Sequence, residues 1–117
     1  NEEKAICCVP SSETGVKNGV HFLCNTISNK NNKILDASEC LIRAKDVPKA
    51  HLGGVRDQKV HLDSIEIKNI EKLQSKKILL IDDVASTCST LKACIEKIKL
   101  TKPLGIETLV LGRNLLI

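Results

Sequence analysis

The sequence predicts an α/β protein with a mainly parallel sheet flanked by helices. Short, fully apolar segments alternate with segments whose apolar residues recur every three or four positions. This alternation is typical of buried parallel strands connected by amphipathic helices. The length of 117 residues suits one domain, and the 42% hydrophobic and 27% charged residues match an ordinary globular protein.

The first half of the chain contains two strand patterns and one helix pattern. Residues 5–9 (AICCV) form an apolar run, and residues 11–15 supply the small polar residues and glycine of a turn. Residues 16–27 repeat apolar side chains at helical spacing. A second strand is predicted at residues 34–37, and residues 40–42 form a further apolar run.

The second half begins irregularly and ends with a clear strand–helix–strand pattern. Residues 43–61 are charged and irregular, which predicts a mobile excursion, and residues 65–67 alternate like an exposed strand. Residues 78–81 (ILLI) form an apolar strand that two acids are expected to stop. A helix with one apolar face follows and ends before Pro103, and residues 107–111 (ETLVL) form the last strand.

Composition argues against several classes of function. The chain has no run of about 20 apolar residues and no export leader, so neither a membrane span nor secretion is expected. Phe22 is the only aromatic residue, and the net charge of +4 is spread along the chain, so nucleic acid is not an expected partner. Six cysteines lack zinc-site spacing and are expected to be reduced thiols of a cytoplasmic protein.

The strongest functional signal lies in residues 78–90, ILLIDDVASTCST. Ligands of parallel sheets bind beyond the carboxyl ends of the strands, and the N–H groups at a helix start attract phosphate. The hydroxyl-rich loop can donate to a phosphate, while Asp82 and Asp83 can accept hydrogen bonds from a vicinal diol. A simple helix N-cap would explain one hydroxyl and neither acid. The segment therefore predicts a site for a ribose 5-phosphate.

This segment resembles the thirteen-residue signature of type I phosphoribosyltransferases, which use phosphoribosyl diphosphate (PRPP). The resemblance implies that Asp82 and Asp83 are the catalytic residues, holding the ribose hydroxyls and stabilising an oxocarbenium-like transition state. Cys88 stands where the family usually has glycine, a departure that bears on turnover more than on the fold. The residues implied to bind the 5-phosphate are Ala85, Ser86, Thr87, Cys88, Ser89 and Thr90.

Two further segments resemble the ComF-like (competence-protein) branch of that family. Residues 9–10 and the turn after them resemble its pyrophosphate loop, and residues 43–56 (RAKDVPKAHLGGVR) resemble its hood, which predicts a small flexible hood over residues 43–67. No direct metal ligand is implied, since Mg²⁺ is expected to arrive with PRPP. The weaker candidates implied for pyrophosphate binding are Ser11, Ser12, Lys17, Arg43, Lys45 and Arg56.

The function implied by the resemblance is transfer of a phosphoribosyl group to an unidentified nitrogenous acceptor, with release of pyrophosphate, in nucleotide metabolism. Ser86 stands where purine-salvage relatives have an acid, which argues against hypoxanthine or guanine as the acceptor. Residues 1–117 are expected to form one such domain. It is expected to be N-terminally incomplete, because the zinc-binding module of the ComF-like branch is absent. A homodimer is left open.

Three other interpretations compete with this one. A catalytically silent regulatory protein could bind PRPP or a nucleotide on the same fold. A DNA-binding module lacks a basic recognition helix in this sequence, and a response-regulator receiver would need a later aspartate, whereas none follows Asp83. Among the histidines, His21 is expected to be structural, while His51 and His61 are weak candidates for ligand contact.

Overall fold

The apolar runs of the sequence form a four-stranded parallel sheet whose strands lie side by side in the order Ile34–Asp36, Lys4–Cys8, Lys77–Ala85 and Gly105–Arg113. The computed structural model describes residues 3–11, 14–15, 17, 19–46, 58–85 and 89–113. Along the chain the elements are β1 (Lys4–Cys8), α1 (Gly19–Lys30), β2 (Ile34–Asp36), β3 (Leu41–Arg43), α2 (Gln58–Ser64), β4 (Ile65–Ile67), β5 (Lys77–Ala85), α3 (Ser89–Lys99) and β6 (Gly105–Arg113).

Both faces of the sheet are covered, because successive side chains of each central strand point to opposite sides. On one face Ile6 packs with Val20 and Cys24 of α1. On the other face Leu80 packs in a larger cluster that includes Ile98 of α3. The predicted α/β fold, with a parallel sheet flanked by helices, is thus confirmed.

The segment predicted as a hood contains an antiparallel β-pair and a short helix. Strand β3 pairs with β4, so that Arg43 lies opposite Ile65. Helix α2 packs against α3, which ties this part of the chain to the larger core cluster. Residues 47–57 lie outside the described residues. None of the helices in the described ranges combines the length and the apolar character that a membrane crossing requires.

The bounds of helix α1 and strand β5 depart furthest from the sequence prediction. Helix α1 is described from Gly19 rather than from residue 16, and it continues to Lys30. Strand β5 does not stop at the two acids but runs on to Ala85. The reason is tertiary, because β6 extends alongside and provides partners as far as the pair Ala85–Arg113. The backbone N–H and C=O groups beyond Ile81, which would otherwise hydrogen-bond to water, find partners in β6.

Gly15, in the turn after β1, has a left-handed backbone with φ of 74°. An added Cβ would meet no atom within 4 Å, so the penalty of a side chain comes from the backbone angle alone. We expect Gly15→Ala to lower the free energy of unfolding by about 1 kcal/mol in urea titrations. The matched control is Gly19→Ala at the start of α1, which also has open space. It should be neutral or stabilising, and equal effects of the two changes would contradict this explanation.

Candidate functional site

The carboxyl ends of the parallel strands bring the predicted site segments to one edge of the sheet. Cys8 lies opposite Ile81 in the pairing of β1 with β5. The Val9 N–H donates to the Ile81 carbonyl at 2.9 Å, so the pairing extends to the residue before Asp82. The turn that leaves β1 therefore runs beside the acids of β5.

Asp82 and Asp83 are neighbouring acids near the end of β5 that a hydrogen bond connects. Asp82 is half-buried and Asp83 is exposed. The Asp83 N–H donates to Asp82 Oδ1 at 2.9 Å. Burial, followed by the hydrogen bond to the Asp83 carboxyl and the charge of that carboxyl, raises the pKa of Asp82 to about 6. Neighbouring strand residues normally point to opposite faces, yet the Asp82 carboxylate turns along the strand to the backbone N–H of Asp83.

The raised pKa of Asp82 makes stability depend on pH. Between about pH 4 and pH 6 the folded chain retains a proton that the unfolded chain has lost, so stability falls as pH rises through this window. Because Asp82 is partly solvated, we expect a loss of about 1 kcal/mol rather than the full linkage value. Urea unfolding at about pH 4.5 and about pH 7 should show this loss, and Asp82→Asn should remove most of it. A loss that persists undiminished in this variant would argue against Asp82 as the source.

The resemblance implies that residues 85–90 bind the 5-phosphate, and the structure describes the two ends of this segment. Ala85 is the last residue of β5, and Ser89 and Thr90 are the first residues of α3. Ser86, Thr87 and Cys88 lie outside the described residues. The Thr90 hydroxyl oxygen lies 3.1 Å from Nε2 and 3.2 Å from Nδ1 of His61, so α2 contacts the start of α3 at this point.

A cleft of about 520 Å³ opens beside the turn after β1. Three of the residues predicted for pyrophosphate binding, Ser11, Lys17 and Arg43, line this cleft together with Lys68 and Asn69. Lys45 is exposed and is not among the lining residues. Ser12 and Arg56 lie outside the described residues. The structure thus brings together three of the four described candidates.

The charges that line this cleft are partly balanced. Lys17 Nζ lies 3.1 Å from Glu39 Oε1, and both side chains are more than half exposed. The hydrogen bond from Lys17 and its charge lower the pKa of Glu39. An exposed pair of this kind contributes little to stability, so its lysine could exchange the carboxylate for a phosphate at small cost.

Arg43 has its guanidinium in internal hydrogen bonds. The side chain is 6% exposed. Its Nε donates to the Ser11 carbonyl at 2.9 Å, and Nη1 contacts the Ser64 hydroxyl and His61 Nδ1, the latter at 3.3 Å. Burial lowers the pKa of Arg43 from its ordinary value. Arg43 therefore connects β3, α2 and the turn after β1, and these three donor contacts point into the protein.

From the sequence, His61 was only a weak candidate for ligand contact, and Glu39 had no predicted role. His61 is 5% exposed and lies between Arg43 and Thr90, which are distant from it in sequence. Its only sequence signal was its place in the segment that resembles a hood. Glu39 follows β2 in a polar turn and pairs with Lys17, 22 residues earlier. No local pattern predicts such a pair.

Cys8, another residue of the cleft, does not have the properties of a nucleophile. Its thiol donates to the Ser38 carbonyl at 3.7 Å. A hydrogen bond with Cys24 and burial raise the pKa of Cys8 far above its ordinary value. His21 Nδ1 lies 3.9 Å from the sulfur, but the thiol stays protonated in this environment.

Solved structures with similar folds identify the fold of this chain. Two crystal forms of a hypoxanthine phosphoribosyltransferase from Staphylococcus aureus superpose on 98% and 96% of the chain, with TM-scores of 0.53 and 0.57 and identities of 18% and 16%. The chain therefore has the α/β fold of type I phosphoribosyltransferases. It covers 57% and 62% of the lengths of those structures.

One curated protein is similar in sequence to part of the chain. The chain is 42% identical over 53 residues to a protein named bifunctional protein PyrR from Clostridium beijerinckii. The match includes 42% of this chain and 30% of that protein, so the chain spans less than a third of the curated relative. No protein-family model matches the chain.

Proposed function

We propose that this chain is a phosphoribosyltransferase domain of the type I family. It binds PRPP and transfers the phosphoribosyl group to a nitrogenous acceptor, with release of pyrophosphate. The observation that carries the proposal is the hydrogen-bonded pair Asp82–Asp83, which lies at the carboxyl edge of a parallel sheet with the fold of that family.

The three parts of PRPP correspond to three neighbouring features of this edge. The acids provide acceptors for the ribose hydroxyls, and the start of α3 offers N–H groups and the Thr90 hydroxyl to the 5-phosphate. The cleft with Lys17 and Lys68 in its lining offers positive charge to the diphosphate. These features are contiguous, because the β1 turn lies beside β5.

Catalysis at such a site would depend on position and charge. A carboxylate beneath the ribose stabilises the positive charge that develops as the bond to the leaving diphosphate breaks. The cleft side chains hold the leaving group, while the rest of the site keeps the acceptor nitrogen near the anomeric carbon. No covalent nucleophile is required, in agreement with the protonated thiol of Cys8.

We infer that Mg²⁺ enters with PRPP. In the part of the chain that the structure describes, no group of three or more His, Cys, Asp or Glu residues could hold a metal ion. Asp82 and Asp83 bind the ribose hydroxyls in this proposal, so substrate phosphates and water would hold the ion. When bound, the ion would neutralise charge on the diphosphate.

Several narrower statements remain part of the proposal. The ComF-like branch is a prediction from the sequence of residues 9–10, the turn after them and residues 43–56, whereas the comparisons reach a hypoxanthine phosphoribosyltransferase and a PyrR protein. The acceptor stays unidentified, with Ser86 as the argument against hypoxanthine and guanine. We also propose that residues 1–117 belong to one domain, with a hood over residues 43–67. We further propose that the substrate is a small molecule, that the protein is cytoplasmic and that it can form a homodimer.

The test combines binding with turnover. A thermal-shift titration with PRPP and Mg²⁺ should raise the melting temperature, because a ligand of the folded state stabilises it. Pyrophosphate release should then be measured with a panel of purine and pyrimidine bases. Binding with turnover supports the enzyme, and binding without turnover under any base supports the silent regulatory protein. Absence of any shift at millimolar PRPP would contradict both.

A further inference from the structure

Two carboxylates of the chain lie against the turn after β1, which is the turn proposed to receive the diphosphate. Glu39 Oε1 accepts a hydrogen bond from Lys17 Nζ at 3.1 Å. Asp46 Oδ1 accepts a hydrogen bond from the backbone N–H of Thr14 at 2.7 Å. The two acids are 22 and 32 residues away from their partners in sequence, so it is the fold that brings them to the turn.

Stability does not explain these two contacts. All four residues are exposed, and exposed charged contacts contribute little to the free energy of unfolding. Both carboxyls are nevertheless held in the anionic form. The hydrogen bond from Lys17, followed by the charge of that lysine, lowers the pKa of Glu39. The backbone hydrogen bond from Thr14 lowers the pKa of Asp46. Each of the two donors on the turn thus holds an anion.

The same two donors are groups that a diphosphate requires. Phosphate oxygens and carboxylate oxygens both accept hydrogen bonds from ammonium groups and backbone N–H groups. Lys17 and Gly15 line the cleft proposed for the diphosphate, and Thr14 directly precedes Gly15. A diphosphate and these two acids therefore compete for the same donors.

We propose that Glu39 and Asp46 are competitors of the diphosphate within the chain itself, and that the ligand must displace both carboxylates from the turn after β1. This inference rests on the proposed function, because it concerns the same site. A diphosphate carries more negative charge than a carboxylate, so it replaces the acids at the two donors. The acids return to these donors as pyrophosphate leaves, which favours release of this product.

The experiment removes one negative charge at a time and keeps the size of the side chain. Dissociation constants for pyrophosphate with Mg²⁺ should be measured by calorimetry on Glu39→Gln, Asp46→Asn, the double variant and the unchanged protein. We expect each single change to tighten binding by about threefold, because an exposed contact no longer has to be broken. The double variant should bind about tenfold more tightly, since both displacements are avoided.

Glu66→Gln is the matched control for general repulsion between the ligand and nearby acids. Glu66 is exposed and lies opposite Ile42 in the pairing of β3 with β4. Opposite residues of an antiparallel pair share one face, and Ile42 lines the cleft. This variant should bind pyrophosphate as the unchanged protein does. An equal gain in Glu66→Gln, or unchanged or weaker binding in the variants of Glu39 and Asp46, would overturn the proposal.

NMR tests the displacement of Asp46 directly. Without ligand, the amide proton of Thr14 should lie further downfield in the unchanged protein than in Asp46→Asn, because a carboxylate is the stronger acceptor. At saturating pyrophosphate the two proteins should show the same Thr14 shift, since the amide then donates to a phosphate oxygen in both. A difference that persists at saturation would overturn the displacement.

These outcomes are distinct from a failure of the proposed function. If the unchanged protein does not bind pyrophosphate with Mg²⁺ at millimolar concentration, the proposed diphosphate site is itself overturned. If it binds pyrophosphate and the acid variants show no gain, only the role of Glu39 and Asp46 is overturned.

Discussion

Asp82→Asn is expected to weaken ribose 5-phosphate binding by about tenfold and to slow pyrophosphate release from PRPP by at least about a hundredfold. The carboxamide keeps the size of the side chain but loses the charge that strengthens hydrogen bonds from the ribose hydroxyls. It also loses the stabilisation of a cationic transition state, which acts on the rate beyond its effect on binding. Calorimetry and a pyrophosphate-release assay measure the two effects separately.

The exposed carboxylate Asp63 on α2 provides the control for this change. Asp63→Asn removes the same charge at a distance from the acid pair and should leave binding and turnover unchanged.

A dependence of ligand binding on pH gives a further check. Since the pKa of Asp82 is raised to about 6, binding by the unchanged protein should strengthen as the pair loses its proton, and this increase should be reduced in Asp82→Asn. Equal turnover in both variants would contradict the proposed site.

Arg43→Ala should lower the free energy of unfolding by about 3 kcal/mol, because it removes three buried or half-buried hydrogen bonds, to Ser11, His61 and Ser64. For a chain of this size the loss corresponds to a fall of about 10 °C in melting temperature. Arg43→Lys should recover little, since a single ammonium group does not reproduce the planar, forked geometry of a guanidinium. Thermal unfolding followed by circular dichroism gives the measurement.

Lys45→Ala is the matched control for Arg43, two residues away and exposed. Its effect should stay within about 0.5 kcal/mol. The pair of variants also separates two roles of Arg43. If the side chain mainly holds the fold, the loss appears in stability at saturating ligand as well as without ligand. A variant of normal stability that bound pyrophosphate poorly would instead indicate direct contact with the leaving group.

Much of the fold was predictable because the strands are short, apolar and regularly separated. The run AICCV became β1, and the apolar face of the last helix, with Leu91, Cys94 and Ile98, became the buried face of α3. The extension of β5 through the acids was not predictable. It depends on β6 running alongside, which is a pairing between segments and leaves no local signature. Helix α2 likewise lies in a charged segment and packs against α3.

The site was predictable where its residues are adjacent in sequence. Asp82 and Asp83 follow one another at the end of an apolar run, so their proximity required no knowledge of the fold. Arg43 and His61 were harder to interpret, since a lone arginine or histidine in a charged stretch usually faces solvent. Both are buried through contacts between residues that are distant in sequence. Arg43 and His61 are 18 residues apart, and His61 and Thr90 are 29 residues apart.

The buried cysteines give this protein a built-in probe of its own opening. Cys7, Cys8, Cys24, Cys40 and Cys94 are free and buried, and burial raises the pKa of Cys40 to about 11 and that of Cys94 to about 12. An alkylating reagent therefore reacts with them only when the chain opens. The chain has no tryptophan or tyrosine to report unfolding by fluorescence. Since Cys24 is on the buried face of α1 and Cys94 is on the buried face of α3, mass-resolved labelling could time the exposure of each layer separately.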